Sequence, residues 1–167
     1  GLREMKGDTM PSLLTCLAFG FSVCACTAIL AAAVDQGTLL PAGSAPKALD
    51  FPHFPDRVHA FVWRNWTLVE PARMAKVLGT SAENVAAIAE SMGLPPARPV
   101  PPEQKARGYI TVLRRNWHLL PYGQLLTLLD LSADQLAYSL REDDFLFIKL
   151  GSLKPKCEPL VYAPPSD

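Results

Sequence analysis

An arginine–asparagine–tryptophan triplet occurs twice in the sequence, and its residue types suit the binding of a sugar. The residues are Arg64, Asn65 and Trp66, then Arg115, Asn116 and Trp117, with His118 directly after the second triplet. A tryptophan ring can stack on a pyranose face while arginine and asparagine form hydrogen bonds with the hydroxyls. The competing interpretation is that each tryptophan anchors the core of its unit while arginine and asparagine bond to helix ends. We favour the second interpretation and keep the first.

A short acidic run, Glu142-Asp143-Asp144, is the other group that could do chemistry. Paired carboxylates serve glycoside hydrolysis or hold Ca²⁺, but adjacent residues on one chain rarely form a suitable pair. A small enzyme that uses Asp143 or Asp144 is therefore our third hypothesis. The sequence contains no P-loop, dinucleotide fingerprint, G-x-S-x-G or H-E-x-x-H motif. We predict no catalytic residue, no metal site and no cofactor.

The two triplets belong to a longer internal repeat. Residues 58–94 align without gaps with residues 109–145, at an offset of 51 residues (109 minus 58). Apolar residues three and four apart predict a helix over residues 71–78 and another over residues 122–129. A serine that suits an N-cap precedes the third predicted helix of each copy. The pattern predicts a mainly α fold of two tandem three-helix, helix-turn-helix-like units.

The periodicity changes after the second unit. Residues 145–150 are mostly apolar and β-prone, Gly151-Ser152 can turn the chain, and residues 160–162 can pair back. This pattern predicts a C-terminal β-hairpin. The predicted domains are a signal peptide or membrane anchor (1–34), a flexible linker (35–55), unit 1 (56–94), a proline-rich linker (95–102), unit 2 with the hairpin (103–163) and the start of a further linker (164–167).

The N-terminal segment has the features of an export signal. Residues 11–34 contain no charged side chain, Arg3 and Lys6 precede them, and small residues stand near their end. The alternatives are a lipobox that would lipidate Cys26, an uncleaved membrane anchor and a buried helix of a cytoplasmic protein. The export signal, the lipobox and the uncleaved anchor all place the remainder of the chain outside the cytoplasm. We predict a periplasmic, cell-surface or extracellular protein that meets the membrane only through this segment.

A helix-turn-helix pattern raises DNA binding as the alternative function. The small and apolar residues with that spacing are Ala75, Gly79, Val85 and Ile88. The third helices are acidic or nearly neutral outside, and Asn84 and Gln135 are their only candidates for reading bases. The whole chain has 16 basic and 16 acidic residues, so no global charge attracts it to phosphate. We predict no nucleic-acid partner.

Residues 109–162 resemble the N-terminal module of large secreted bacterial proteins in which an uncharacterised glycoside-hydrolase-like domain often follows. The resemblance rests on residues 115–122, 141–146, 149–151 and 154–157. It implies a carbohydrate-processing context and transfers no catalytic residue. We therefore predict an exported, non-catalytic accessory module that positions a downstream domain of the same polypeptide or binds polysaccharide weakly. The alternative is a helix-turn-helix DNA-binding or regulatory protein.

Overall fold

A computed structural model describes Leu40, residues 46–143 and residues 145–164. All of them belong to one unit, residues 33–167. The helices are α1 (Arg57–Asn65), α2 (Pro71–Leu78), α3 (Ala82–Ser91), α4 (Pro102–Asn116), α5 (Tyr122–Leu129), α6 (Ala133–Glu142) and α7 (Leu146–Lys149). None of these helices is long and apolar enough to span a bilayer. The predicted signal over residues 1–34 and its lipidation candidate Cys26 lie outside the described residues.

Serine N-caps begin α3 and α6, as the sequence predicts. The Ser81 hydroxyl accepts from the Asn84 amide at 3.3 Å. The Ser132 hydroxyl accepts from the Gln135 amide at 3.2 Å, and the Gln135 side chain accepts from the Ser132 amide at 2.8 Å. Each hydroxyl satisfies an amide that has no partner within its helix, and the reciprocal bonds of α6 form a capping box.

The two halves of the described chain share helix boundaries but differ in packing. Helices α2 and α5, and likewise α3 and α6, begin and end 51 residues apart (122 minus 71, 133 minus 82). Helix α3 packs on α1 and α2, whereas α6 packs on α7. The mainly α fold is confirmed. The equivalence of two complete three-helix units is not confirmed, because the third helices have different neighbours.

The predicted C-terminal β-hairpin is wrong. Leu146–Lys149 form the short helix α7, and no strand occurs among the described residues. Leu146 is buried, and Phe147 and Leu150 pack against the core from the same helical turn. Residues 160–162 lie across α2 and α5 instead, where the Tyr162 amide donates to the Leu78 carbonyl at 3.0 Å. A short apolar run suits a buried helical turn as well as a strand, and its periodicity does not distinguish the two. Packing against the core therefore determines that this run is helical.

One hydrophobic core joins both halves. Helices α1, α2, α4, α5 and α6 each contribute a large, fully buried side chain to it, namely Phe61, Met74, Leu113, Leu125 and Leu136. The predicted proline-rich linker is tied to this body, because the buried Val100 donates its amide to Glu70 Oε1 at 2.9 Å. The triplets therefore lie between two halves that fold together.

Candidate functional site

The asparagines of the two triplets bond to each other in the centre of the protein. Asn65 Nδ2 donates to Asn116 Oδ1 at 3.0 Å, and Asn116 Nδ2 donates to Asn65 Oδ1 at 2.7 Å. Each amide nitrogen also donates to the carbonyl four residues earlier, Phe61 or Val112, at 2.8 Å. Both asparagines are 0% exposed. Their donors and amide oxygens are therefore satisfied without a ligand.

The arginines of the triplets make a second reciprocal exchange. Arg64 Nε donates to the Arg115 carbonyl at 2.8 Å, and Arg115 Nη1 donates to the Arg64 carbonyl at 2.6 Å. Partial burial, and then the nearby Arg115 charge, lower the pKa of Arg64. Both guanidinium groups thus bond to the opposite helix end, as the core interpretation expects.

These exchanges have the pattern of a local twofold axis. In an isologous contact residue i meets residue j while j meets i, and here each member of a pair lies 51 residues from its partner. The axis passes between the C-terminal ends of α1 and α4. The triplets therefore form a junction, which we call the twofold junction, between the two halves.

Neither triplet tryptophan offers a ring face to solvent. Trp66 is 6% exposed and Trp117 is 2% exposed. Trp66 Nε1 donates to the Pro95 carbonyl at 2.7 Å, and the Trp117 and Tyr122 rings pack in a T-shaped arrangement at a centroid distance of 5.9 Å. The predicted burial of both rings is confirmed. A sugar could stack on either ring only after the core had opened.

His118 lies at the edge of the junction with a partner of its own. Its Nδ1 accepts from the Leu49 amide at 3.4 Å. Burial, followed by the positive charges of Lys154 and Arg64, lowers the pKa of His118. A neutral imidazole can act as such an acceptor, so the geometry and the pKa direction agree.

A buried lysine covers the ring of Trp117, and the sequence pattern did not single it out. Lys154 Nζ donates to the Trp117 carbonyl at 2.7 Å and lies 5.3 Å from the centroid of the ring. The Cys157 sulfur is 3.5 Å from the same nitrogen. Burial is the main cause of the lowered pKa of Lys154. This ammonium group is thus held by carbonyl oxygen and an aromatic face.

We expect the stability of the protein to rise with pH because of Lys154. In the unfolded chain this amine keeps its proton up to its ordinary pKa of 10.5, whereas the folded pKa is lower. Between the two values the unfolded state binds more protons, so the free energy of unfolding increases with pH. Urea unfolding at increasing pH up to 10.5 should therefore favour the wild type increasingly over Lys154→Met. Parallel pH profiles of the two proteins would contradict this prediction.

The acidic run does not provide a paired-carboxylate site in the described part. The Tyr109 hydroxyl donates to Asp143 Oδ2, so this carboxylate has a partner inside the domain, and Asp144 lies outside the described residues. Among the residues that the structure describes, no group of three or more His, Cys, Asp or Glu side chains is placed to hold a metal ion.

The third helices use their candidate base-reading residues locally. Asn84 Nδ2 donates to the Thr80 hydroxyl at 2.8 Å, and Gln135 is bound in the capping box of α6. The outer face of α3 presents Glu83 and Glu90. Packing and capping account for the helix-turn-helix spacing, and the absence of duplex binding stays a prediction.

A groove of about 580 Å³ opens between α2, α4 and α5. Leucine and valine side chains form its walls, and two ion pairs stand at its margins. Lys105 Nζ lies 3.2 Å from Glu70 Oε1, and Arg73 Nη1 lies 2.9 Å from Asp130 Oδ1. We call this feature the open groove.

The exposed tryptophan is Trp63, which directly precedes the first triplet. It is 52% exposed, and its ring lies 5.6 Å from that of Phe54 at an interplanar angle of 56°. His59, one helical turn earlier on the same face, lies 2.9 Å from the Asp56 carboxylate. The apolar residues of α1 are spaced so that position 63 lies on the side opposite the core. This spacing was the signal in the sequence that could have identified Trp63 as exposed.

Comparisons with protein-family models, with curated proteins and with solved structures find no match for this chain. The resemblance to the N-terminal module of large secreted bacterial proteins stays a prediction.

Proposed function

We propose that this chain is an exported, non-catalytic accessory module of a polysaccharide-processing protein, and that it binds glycan weakly through Trp63. The observation that carries the proposal is the half-exposed indole of Trp63 beside Phe54. An indole face stacks well on the C–H face of a pyranose. Asp56 and His59 precede Trp63 by seven and four residues at the start of the same helix, and they carry polar atoms that suit hydroxyl groups.

A second surface supports the positioning of a neighbouring domain. Phe145 and Ile148 lie one helical turn apart at α7 and are 73% and 72% exposed. Large apolar side chains in water are typical of surfaces that another protein covers. The repeated helices then form a rigid support for the neighbouring domain. In this proposal the two tandem units derive from one three-helix ancestor.

We expect the full chain to sediment with an insoluble polysaccharide such as cellulose or chitin, and Trp63→Ala to abolish this retention. The lost ring removes the stacking surface, while the buried core stays intact. Tyr138→Ala, which removes a similarly exposed ring on α6, is the matched control and should be retained like the wild type. Equal retention of both variants, or none of the wild type on any polysaccharide, would contradict the glycan assignment.

Export is tested separately with a reporter fused after Pro55. Because residues 11–34 are uncharged and apolar, we expect reporter activity in the exported fractions. Replacing two apolar residues of that run by arginine should return the activity to the cytoplasm. Cytoplasmic activity from the unaltered fusion would contradict export.

A further inference from the structure

The open groove has a counterpart across the twofold junction, and the protein fills that counterpart with its own chain. The occupant is the segment from Glu158 to Tyr162, which lies over α2 and α5. Gln124 Nε2 donates to the Leu160 carbonyl at 2.6 Å, and the Leu160 amide donates to Gln124 Oε1 at 2.8 Å. Arg57 holds the start of the segment through the Glu158 carbonyl at 3.0 Å.

The residues that hold this segment correspond to residues that line the open groove. Shifted by 51, the residues that bond to the segment, Arg57, Leu78 and Gln124, become Gly108, Leu129 and Arg73. The carbonyls of Leu119 and Val77 accept from Arg57 and Gln124, and these two residues become Leu68 and Leu128. All five of the shifted positions line the open groove. The local twofold axis thus relates a site that is filled by an extended segment to the open groove, which has similar walls and is not filled by any described part of the chain.

We propose that the open groove is a docking site for an extended peptide from a partner protein, one that ends in an apolar residue with a free carboxylate. In the filled site the side chain of Leu160 is buried among apolar neighbours. Leu68, Val69 and Leu128 supply such walls in the open groove. An apolar terminal side chain therefore has a place to bury itself.

One difference between the two sites specifies the carboxylate. Gln124 offers both an acceptor and a donor, and it pairs with the amide and the carbonyl of Leu160. Arg73 stands at the equivalent position and can only donate. Lys76 and Lys105 line the same groove. A guanidinium binds a carboxylate through charge-assisted, bidentate bonds, so a chain end fits where the Leu160 carbonyl lies in the filled site.

Asp130 now takes the place of that carboxylate. Its oxygens lie 2.9 Å from the Arg73 nitrogens, and its side chain is 76% exposed. Asp130 faces water on most of its side chain, where solvent screens the pair, so an incoming chain end can compete with it for Arg73. Asp130 also has a left-handed backbone with φ 59°, which asparagine tolerates. Asp130→Asn therefore removes the competing charge and leaves the turn intact.

Gly108 has no side chain, and this leaves space in the open groove for a peptide. A Cβ atom built on it meets no heavy atom within 4 Å, and Arg57 occupies the equivalent position in the filled site. Gly108→Trp should close the open groove, because the indole would project into this space.

The test is a titration of the full chain with two probes, followed by NMR. The probes are acetyl-Ala-Ala-Glu-Pro-Leu with a free carboxylate and the same peptide as a C-terminal amide. We expect the carboxylate probe to bind about tenfold more tightly, as a charge-assisted bond implies. Arg73→Gln should abolish this preference, Asp130→Asn should strengthen binding of the carboxylate probe, and Gly108→Trp should eliminate binding.

Arg141→Gln makes the same charge change on the exposed face of α6, away from the groove, and should bind like the wild type. Circular dichroism reports whether each variant folds, and the opposite effects of Asp130→Asn and Gly108→Trp are measured in proteins that keep Arg73. Equal binding of the two probes, no binding of either, or equal effects of Arg73→Gln and Arg141→Gln would overturn the proposal.

Discussion

Asn116→Leu should lower the free energy of unfolding by about 2–4 kcal/mol, since it removes two hydrogen bonds of the buried Asn65 amide and leaves only the one to the Phe61 carbonyl. The Asn65 oxygen would lose its donor, and one Asn65 N–H would lose its acceptor. Both atoms would remain in a fully buried place, where water cannot replace the lost bonds. Urea unfolding followed by circular dichroism measures the change.

The matched control is Asn84→Leu, the same chemical change on a half-buried asparagine at the start of α3. Asn84 has one side-chain partner, Thr80, at the surface, and its loss should cost about 1 kcal/mol or less. Equal losses of stability for the two variants would mean that the buried Asn65–Asn116 pair contributes no more to the free energy of unfolding than a surface asparagine does.

Trp117→Ala should destabilise the protein by about 3–5 kcal/mol, the usual penalty for removing a large buried ring. The ring is 2% exposed. It also packs in a T-shaped arrangement with Tyr122 and has the ammonium of Lys154 over its face. The cavity would therefore lie beneath a buried charge. The shift of the urea midpoint, read by circular dichroism, measures the loss.

Trp63→Ala is the internal comparison for Trp117→Ala. Trp63 is half-exposed, so its loss should change the stability by about 1 kcal/mol or less. This variant should also be the one that loses glycan retention. If Trp63→Ala were as unstable as Trp117→Ala, its loss of glycan retention would report unfolding.

Local sequence signals predicted much of the helical framework. Apolar spacing placed α2 and α5 at the bounds that the structure has, and Ser81 and Ser132 marked the starts of α3 and α6. These features depend on residues within one or two turns, which the sequence displays directly. The burial of Trp66 and Trp117 also followed from their repetition in both units.

Contacts between distant residues could not be predicted in the same way. The hydrogen bonds between Asn65 and Asn116 join residues 51 positions apart, and no local pattern shows that α1 and α4 end against each other. The apolar run at 145–150 suits a strand or a helical turn until its neighbours are known. The different roles of Gln124 and Arg73 depend on where the C-terminal segment lies.

The two triplets form a junction in the core, and a double-mutant cycle of the two asparagines tests this junction most directly. Asn65→Leu, Asn116→Leu and the double variant are unfolded in urea under the same conditions. If the asparagines satisfy each other, the double variant should lose less stability than the two single losses together, by about 1–3 kcal/mol. It leaves no buried side-chain amide, whereas each single variant leaves one that has lost two of its hydrogen bonds. Strictly additive losses would contradict the twofold junction.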